Sequence, residues 1–124
     1  MATQRLLVVE DELLVALDIE SILNDAGLIV IGPASSAAEA LKLIGSTTPD
    51  AALIDANLSG EPITEVAKAL SERGIPFAYV TGYGRESLPN DYQAPIVTKP
   101  FDADQLLAAA RRLLAVAGGL DGAA

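Results

Sequence analysis

Short apolar runs alternate with amphipathic stretches along the chain. Residues 6–9 are Leu-Leu-Val-Val, and after them Val15, Ile19, Ile22 and Ala26 fall on one face of a 3.6-residue period, predicting a strand and then a helix. Residues 28–31 form a second apolar run. The following Ser36-Ala37-Ala38-Glu39 is a capping-box pattern, in which Ser36 and Glu39 satisfy free amides at a helix start, and Ala37, Ala40, Leu41 and Ile44 form its inward face. Residues 51–54 make a third run. Beyond a loop ending near Pro62, the spacing of Ile63, Val66, Ala67 and Leu70 predicts a helix that stops at Gly74.

Residues 77–80 give a fourth strand and 96–98 a short fifth. Residues 102–117 give a last helix with Leu106, Ala110, Leu113, Leu114 and Ala117 inward, and residues 118–124 read as a frayed tail. Between strands four and five, residues 81–95 hold Gly82, Gly84, Pro89 and Pro95 and little helical period, so the fourth helix is expected to be irregular or mobile. Five strand-helix units with continuous apolar strands predict an α/β fold with a doubly wound parallel sheet. For five strands the flavodoxin-like (βα)5 order 2-1-3-4-5 suits best. The expected organisation is one domain over residues 1–118, a flexible tail over 119–124 and no output domain.

Composition narrows the chemistry. At 124 residues and 51% hydrophobic, the chain can bury a core without covalent or metal staples. It contains no Cys and no His, which excludes disulfides, thiolate catalysis and every scheme that needs an imidazole of its own. The formal charge of −9 argues against nucleic acid or an anionic membrane as a partner. With neither a signal-peptide pattern nor an apolar run of membrane-spanning length, a cytoplasmic location is expected.

In an open parallel sheet ligands bind beyond the carboxyl ends of the strands, and the polar residues collect there. Glu10, Asp11 and Glu12 follow strand one, Asp55 strand three, Thr81 strand four, and Lys99-Pro100 strand five. Carboxylates crowded into one pocket repel unless a cation joins them, and oxygen donors without His or Cys favour Mg2+. Three carboxylates, one divalent ion and one lysine sum to zero. With Asp55 as nucleophile, a phosphoryl group would be held by the metal, Lys99 and the Thr81 hydroxyl, giving an acyl phosphate. The plainer readings are a helix-capping role for Glu10, Asp11 and Glu12, and a turn role for Asp55 with Asn57; only for Glu12 is the cap preferred.

Val8-Val9-Glu10-Asp11-Glu12, Leu53-Ile54-Asp55, Val80-Thr81-Gly82 and Thr98-Lys99-Pro100-Phe101 resemble, in order and spacing, the four signatures of response-regulator receivers. The resemblance implies Asp55 as phosphoacceptor, Asp11 as a direct Mg2+ ligand, Glu10 as an acidic partner acting through water, and the Asn57 main-chain carbonyl as a further ligand. It also implies Thr81 and Lys99 as sensors of the phosphoryl group, with a cis Lys99–Pro100 peptide. Ile96 stands where many receivers carry a switching aromatic. The segment 76–84, Pro-Phe-Ala-Tyr-Val-Thr-Gly-Tyr-Gly, resembles the Phe-Ala-Thr-Gly-Tyr motif of the alphaproteobacterial FAT GUY receivers, with Val80 for the alanine. That subgroup implies a stand-alone regulator of a two-component phosphorelay, phosphorylated by an HWE-type histidine kinase or a phosphotransferase. Without an output domain, the expected roles are phosphate relay, phosphate sink or control of a downstream protein partner, and Tyr83 is either a replacement switch or a bystander.

Two alternatives stay open. One is a receiver-like docking module that is never phosphorylated. The other is a Mg2+-dependent aspartyl phosphohydrolase, which would want a second aspartate where Asn57 stands.

Overall fold

The computed structural model describes residues 3–58, 63–82 and 94–123, with side chains described as far as Val116. The elements are β1 (Arg5–Val9), α1 (Leu13–Asp25), β2 (Ile29–Ala34), α2 (Ala37–Thr47), β3 (Ala51–Asp55), α3 (Thr64–Glu72), β4 (Phe77–Thr81), β5 (Ile96–Thr98) and α4 (Ala103–Ala123). The strands form one sheet in the order β2-β1-β3-β4-β5, every pair parallel. This is the flavodoxin-like order expected from the alternation of strands and helices.

Parallel strands send alternate side chains to opposite faces, and here both faces are covered. Leu7, Val9, Ala52, Ile54, Phe77 and Tyr79 pack against Ala40 and Ile44 of α2 and Val66, Ala67 and Leu70 of α3. Leu6, Val8, Ala51, Leu53, Ala78 and Val80 pack against Ile19 and Leu23 of α1 and Leu106, Ala110, Leu113 and Leu114 of α4. The central strands are therefore apolar at successive positions. The first residues free to carry chemistry are those at or just past their carboxyl ends, with Asp55 the last residue of β3 and Thr81 the last of β4.

Helix ends follow the local sequence. Ser36 Oγ accepts from Glu39 N–H at 3.1 Å, while Glu39 Oε1 accepts from Ser35 N–H at 2.7 Å, so the capping box closes one residue earlier than its usual reciprocal bond. At the end of α3, Gly74 N–H donates to the Ser71 carbonyl and Ile75 N–H to the Leu70 carbonyl, using two carbonyls that the last turn would leave bare.

The inward face of α1 differs from the expectation. Ala16, Ile19 and Leu23 are its buried residues, with Val15 and Ile22 packed at the margin. Leu13, Leu14 and Leu17 are 69%, 81% and 49% exposed. Apolar residues ring the start of this helix, so period alone could not choose which of them turns inward. On α2, Leu41 is likewise 38% exposed, and Leu43 packs against the core in its place. β2 runs on to Ala34, past Gly32-Pro33, where the apolar run had suggested an end. The backbone of α4 stays helical to Ala123, beyond the Ala117 at which the expected helix gives way to a tail. The alanine-rich sequence and the absence of proline there allow it. Most of the segment expected to hold an irregular fourth helix, residues 83–93 with Tyr83, lies outside the described residues, as do residues 59–62. Among the described residues no helix is long and apolar enough to cross a membrane.

Candidate functional site

Pairing of β1 with β3 (Val9↔Ile54) and of β3 with β4 (Asp55↔Val80) brings three strand ends level. Lys99 is joined to them by its N–H, which donates to the Thr81 carbonyl at 2.8 Å. The Lys99–Pro100 peptide is cis. Residues far apart in sequence thus meet at one edge of the sheet.

Glu10, Asp55 and Thr81 are buried, at 2%, 3% and 1% exposure. Burying a carboxylate is costly unless it is paired, and the surroundings of Glu10 and Asp55 supply the pairing. Lys99 Nζ lies 3.0 Å from Glu10 Oε1, 3.4 Å from Glu12 Oε1 and 3.6 Å from Asp55 Oδ2. Glu10 Oε2 accepts from Glu12 N–H at 3.1 Å, and Asp55 Oδ1 accepts from Asn57 N–H at 3.0 Å.

Lys99 is close enough to Glu10 Oε1 to pair with it by charge. Among the described residues that fully buried oxygen nevertheless has no hydrogen bond of good geometry. Glu10, Asp11 and Asp55 each offer one carboxylate oxygen, and these oxygens lie within 4.8 Å of one another. A buried carboxylate oxygen held by charge rather than by a hydrogen bond of good geometry, and a convergent, all-oxygen donor set, fit a hard divalent cation such as Mg2+. Beside them a cavity of about 340 Å3 is lined by Glu12, Asp55, Asn57, Gly82 and Lys99. It is large enough for a phosphoryl group.

The electrostatics of Asp55 follow from this packing. Burial pushes its pKa up, the Asn57 N–H opposes the rise, the Glu10 carboxylate adds to it by hydrogen bond and by charge, and the Lys99 charge opposes it; the balance lies at about 7. For Lys99 burial acts to lower the pKa, but Glu10, Asp55 and Glu12 together outweigh it and hold the ammonium above its ordinary value. Lys99 therefore stays charged, while the metal-free Asp55 titrates near neutrality.

The structure brings together Glu10, Asp11, Asp55, Asn57 and Lys99. Thr81 is buried at the end of β4, joined to Lys99 through its own carbonyl. Ile96 is partly buried against the α2–α3 core. Glu12 is the residue whose place the sequence did not foretell. It occupies the N-cap position of α1 but makes no side-chain cap hydrogen bond. Its carboxylate, 64% exposed, reaches Lys99 instead. A capping carboxylate gains only about 0.3–1 kcal/mol from the helix end, so a fixed cation nearby competes readily for it. The one signal for this was its place two residues after Glu10.

The fold and the strand-end acids define a class, and comparison with known proteins agrees. Residues 6–111 match the family model described as the response regulator receiver domain. The chain belongs to the response-regulator receiver family. It is 32% identical over 106 residues to the phyllosphere-induced regulator PhyR of Methylorubrum extorquens, covering 82% of this chain and 39% of that protein. Among solved structures, the BeF3-activated conformation of SdrG from Pseudomonas melonis Fr1 is 35% identical with a TM-score of 0.77, covering 92% of this chain and 99% of that one. The anti-anti-sigma factor PhyR from Bartonella quintana is 28% identical with a TM-score of 0.83, covering 99% of this chain and 52% of that one. The chain spans about half the length, or less, of the curated relatives it matches.

Proposed function

We propose that this receiver takes a phosphoryl group onto Asp55 in a Mg2+-dependent reaction and passes the change to a protein partner. The observation that carries this reading is the buried Asp55 carboxylate, oriented by Asn57 N–H and set beside Lys99 and the buried Glu10 carboxylate that Lys99 also pairs with. Asp11, Asp55 and the Asn57 carbonyl would hold the ion, with Glu10 acting through water; when bound, Mg2+ supplies positive charge to offset the phosphoryl oxygens.

An oxygen of Asp55 attacks phosphorus, the P–N bond of a phosphohistidine donor breaks, and its electron pair leaves with the imidazole. The donor histidine lies outside these 124 residues, which contain none, and a histidine kinase or a phosphotransferase would supply it. Lys99 pairs with the charge on the transferred group, and the Thr81 hydroxyl accompanies it. An HWE-type kinase is the donor that the likeness of residues 76–84 to the FAT GUY motif supports. Resemblance to an anti-anti-sigma factor supports a protein as the downstream partner, and the net charge of −9 argues against nucleic acid. A cytoplasmic setting belongs to the same reading.

The test is intact mass after incubation with Mg2+ and acetyl phosphate. Wild type is expected to gain one phosphoryl mass, and Asp55→Asn or wild type with excess chelator none. A gain that persists in Asp55→Asn would overturn the assignment of the nucleophile. No gain in the wild type, even with a phosphorylated histidine kinase as donor, would favour the docking-module alternative.

A further inference from the structure

β1 and β2 pair in step from Arg5↔Ile29 to Leu7↔Ile31, and then Val9 pairs with Ala34. Gly32 and Pro33 of β2 together stand opposite Val8 of β1, which makes a bulge. Its effect shows in the core: Ile31 and Ala34, three positions apart, both face the α2–α3 side, which an unbulged strand of period two does not allow.

Gly32 holds φ at +96°, and a Cβ there would lie 2.6 Å from Ala34 N and 3.1 Å from Val8 O. Both are backbone atoms of paired strands, so no side-chain rotation relieves the clash. Just past the bulge, the Ala34 carbonyl accepts the Glu10 N–H at 2.8 Å. Gly32 is therefore pressed between β1, two residues before Glu10, and the residue that anchors the Glu10 main chain.

We propose that Gly32 is a positioning residue of the acidic site: the bulge it permits fixes the Glu10 main chain and, through it, the Glu10–Asp11 carboxylate pair. The metal-binding consequence rests on the reading proposed above, while the main-chain consequence stands apart from it.

Gly27 provides the control. It too has a positive φ, +84°, but an added Cβ would meet nothing within 4 Å among the described residues. Both Gly32→Ala and Gly27→Ala strain a left-handed position and lower the melting temperature. The readouts are amide hydrogen exchange at Glu10, followed by NMR, and the Mg2+ Kd from titration with the metal alone. Gly32→Ala is expected to lose at least about tenfold of the Glu10 amide protection and to weaken Mg2+ binding at least about fivefold, with Gly27→Ala leaving both near wild type. Equal behaviour of the two variants would overturn the proposal. If Gly32→Ala does not fold under the conditions used for the wild type, both readouts are taken at lower temperature. Should that fail too, wild-type exchange decides: a Glu10 amide as slow as that of Leu53 supports the proposal, and one exchanging like an exposed amide overturns it. If the wild type binds no Mg2+, the metal reading fails, but the Glu10 amide still tests the bulge.

Discussion

Lys99 stands closer to Glu10, at 3.0 Å, than to Asp55, at 3.6 Å. Its charge is thus committed first to a buried carboxylate that is not the proposed nucleophile. Removing it leaves Glu10 buried and uncompensated, so Lys99→Ala is expected to destabilise the metal-free protein by about 2 kcal/mol, less than for a fully buried pair because Lys99 reaches solvent. Pairing it with Glu10→Gln should recover most of that loss. Urea denaturation of the two single variants and the double variant measures the coupling, and strict additivity would mean that the pair contributes nothing.

Asp55 makes the metal-free protein sensitive to pH. Its folded pKa of about 7 lies above the ordinary 3.8, so the folded state holds more protons than the unfolded state between those values. Stability therefore falls as pH rises through that window, by a few kcal/mol and about 4 at most. Asp55→Asn has no such penalty. In chelator it should be more stable than wild type at pH 8, with the difference shrinking toward pH 5. Denaturation series at the two pH values check this, and a difference that does not vary with pH would refute it.

The same proton competes with metal. Mg2+ needs the ionised carboxylate, so its Kd is expected to weaken by about tenfold for each pH unit below about 7 and to level off above. Calorimetric titrations from pH 5.5 to 8.5 test the slope. A Kd flat across that range would mean that Asp55 is not among the ligands.

Two leucines of one helix should behave as opposites. Leu23 is fully buried, and Leu14 is 81% exposed. Leu23→Ala is expected to cost about 2–5 kcal/mol, whereas Leu14→Ala should stay within about 0.5 kcal/mol. Chemical denaturation of both variants decides whether α1 faces the sheet as described.

Much of this architecture was legible in the sequence because its signals agree. Apolar runs of strand length, helical spacing after each run and acids directly beyond the runs leave few ways to fold. Glu10, Asp11, Asp55 and Lys99 could be grouped from strand order alone, since a parallel sheet carries its strand ends to one edge. Finer details escaped where two weak preferences compete. Leu13, Leu14 and Leu17 look as fit for the core as Leu23, and only the seating of α1 on β1 and β2 separates them. Glu12 could serve the helix end or Lys99, and the choice depends on a lysine 87 residues later in the chain. Gly32-Pro33 carries the composition of a turn and therefore hid a strand that continues through it.

The bulge in β2 also bears on solubility. β2 is an outer strand of the sheet, with Ile29 46% exposed, and an outer strand presents unpaired amides on which another chain can build. Pro33 has no amide hydrogen to offer, and the bulge bends the strand out of a flat register at the same point. At the opposite margin β5 spans only Ile96–Thr98, too short to template a long partner. Both margins of the sheet are blunted against self-association by strand addition. The feature that anchors Glu10 thus also discourages the chain from aggregating through its sheet.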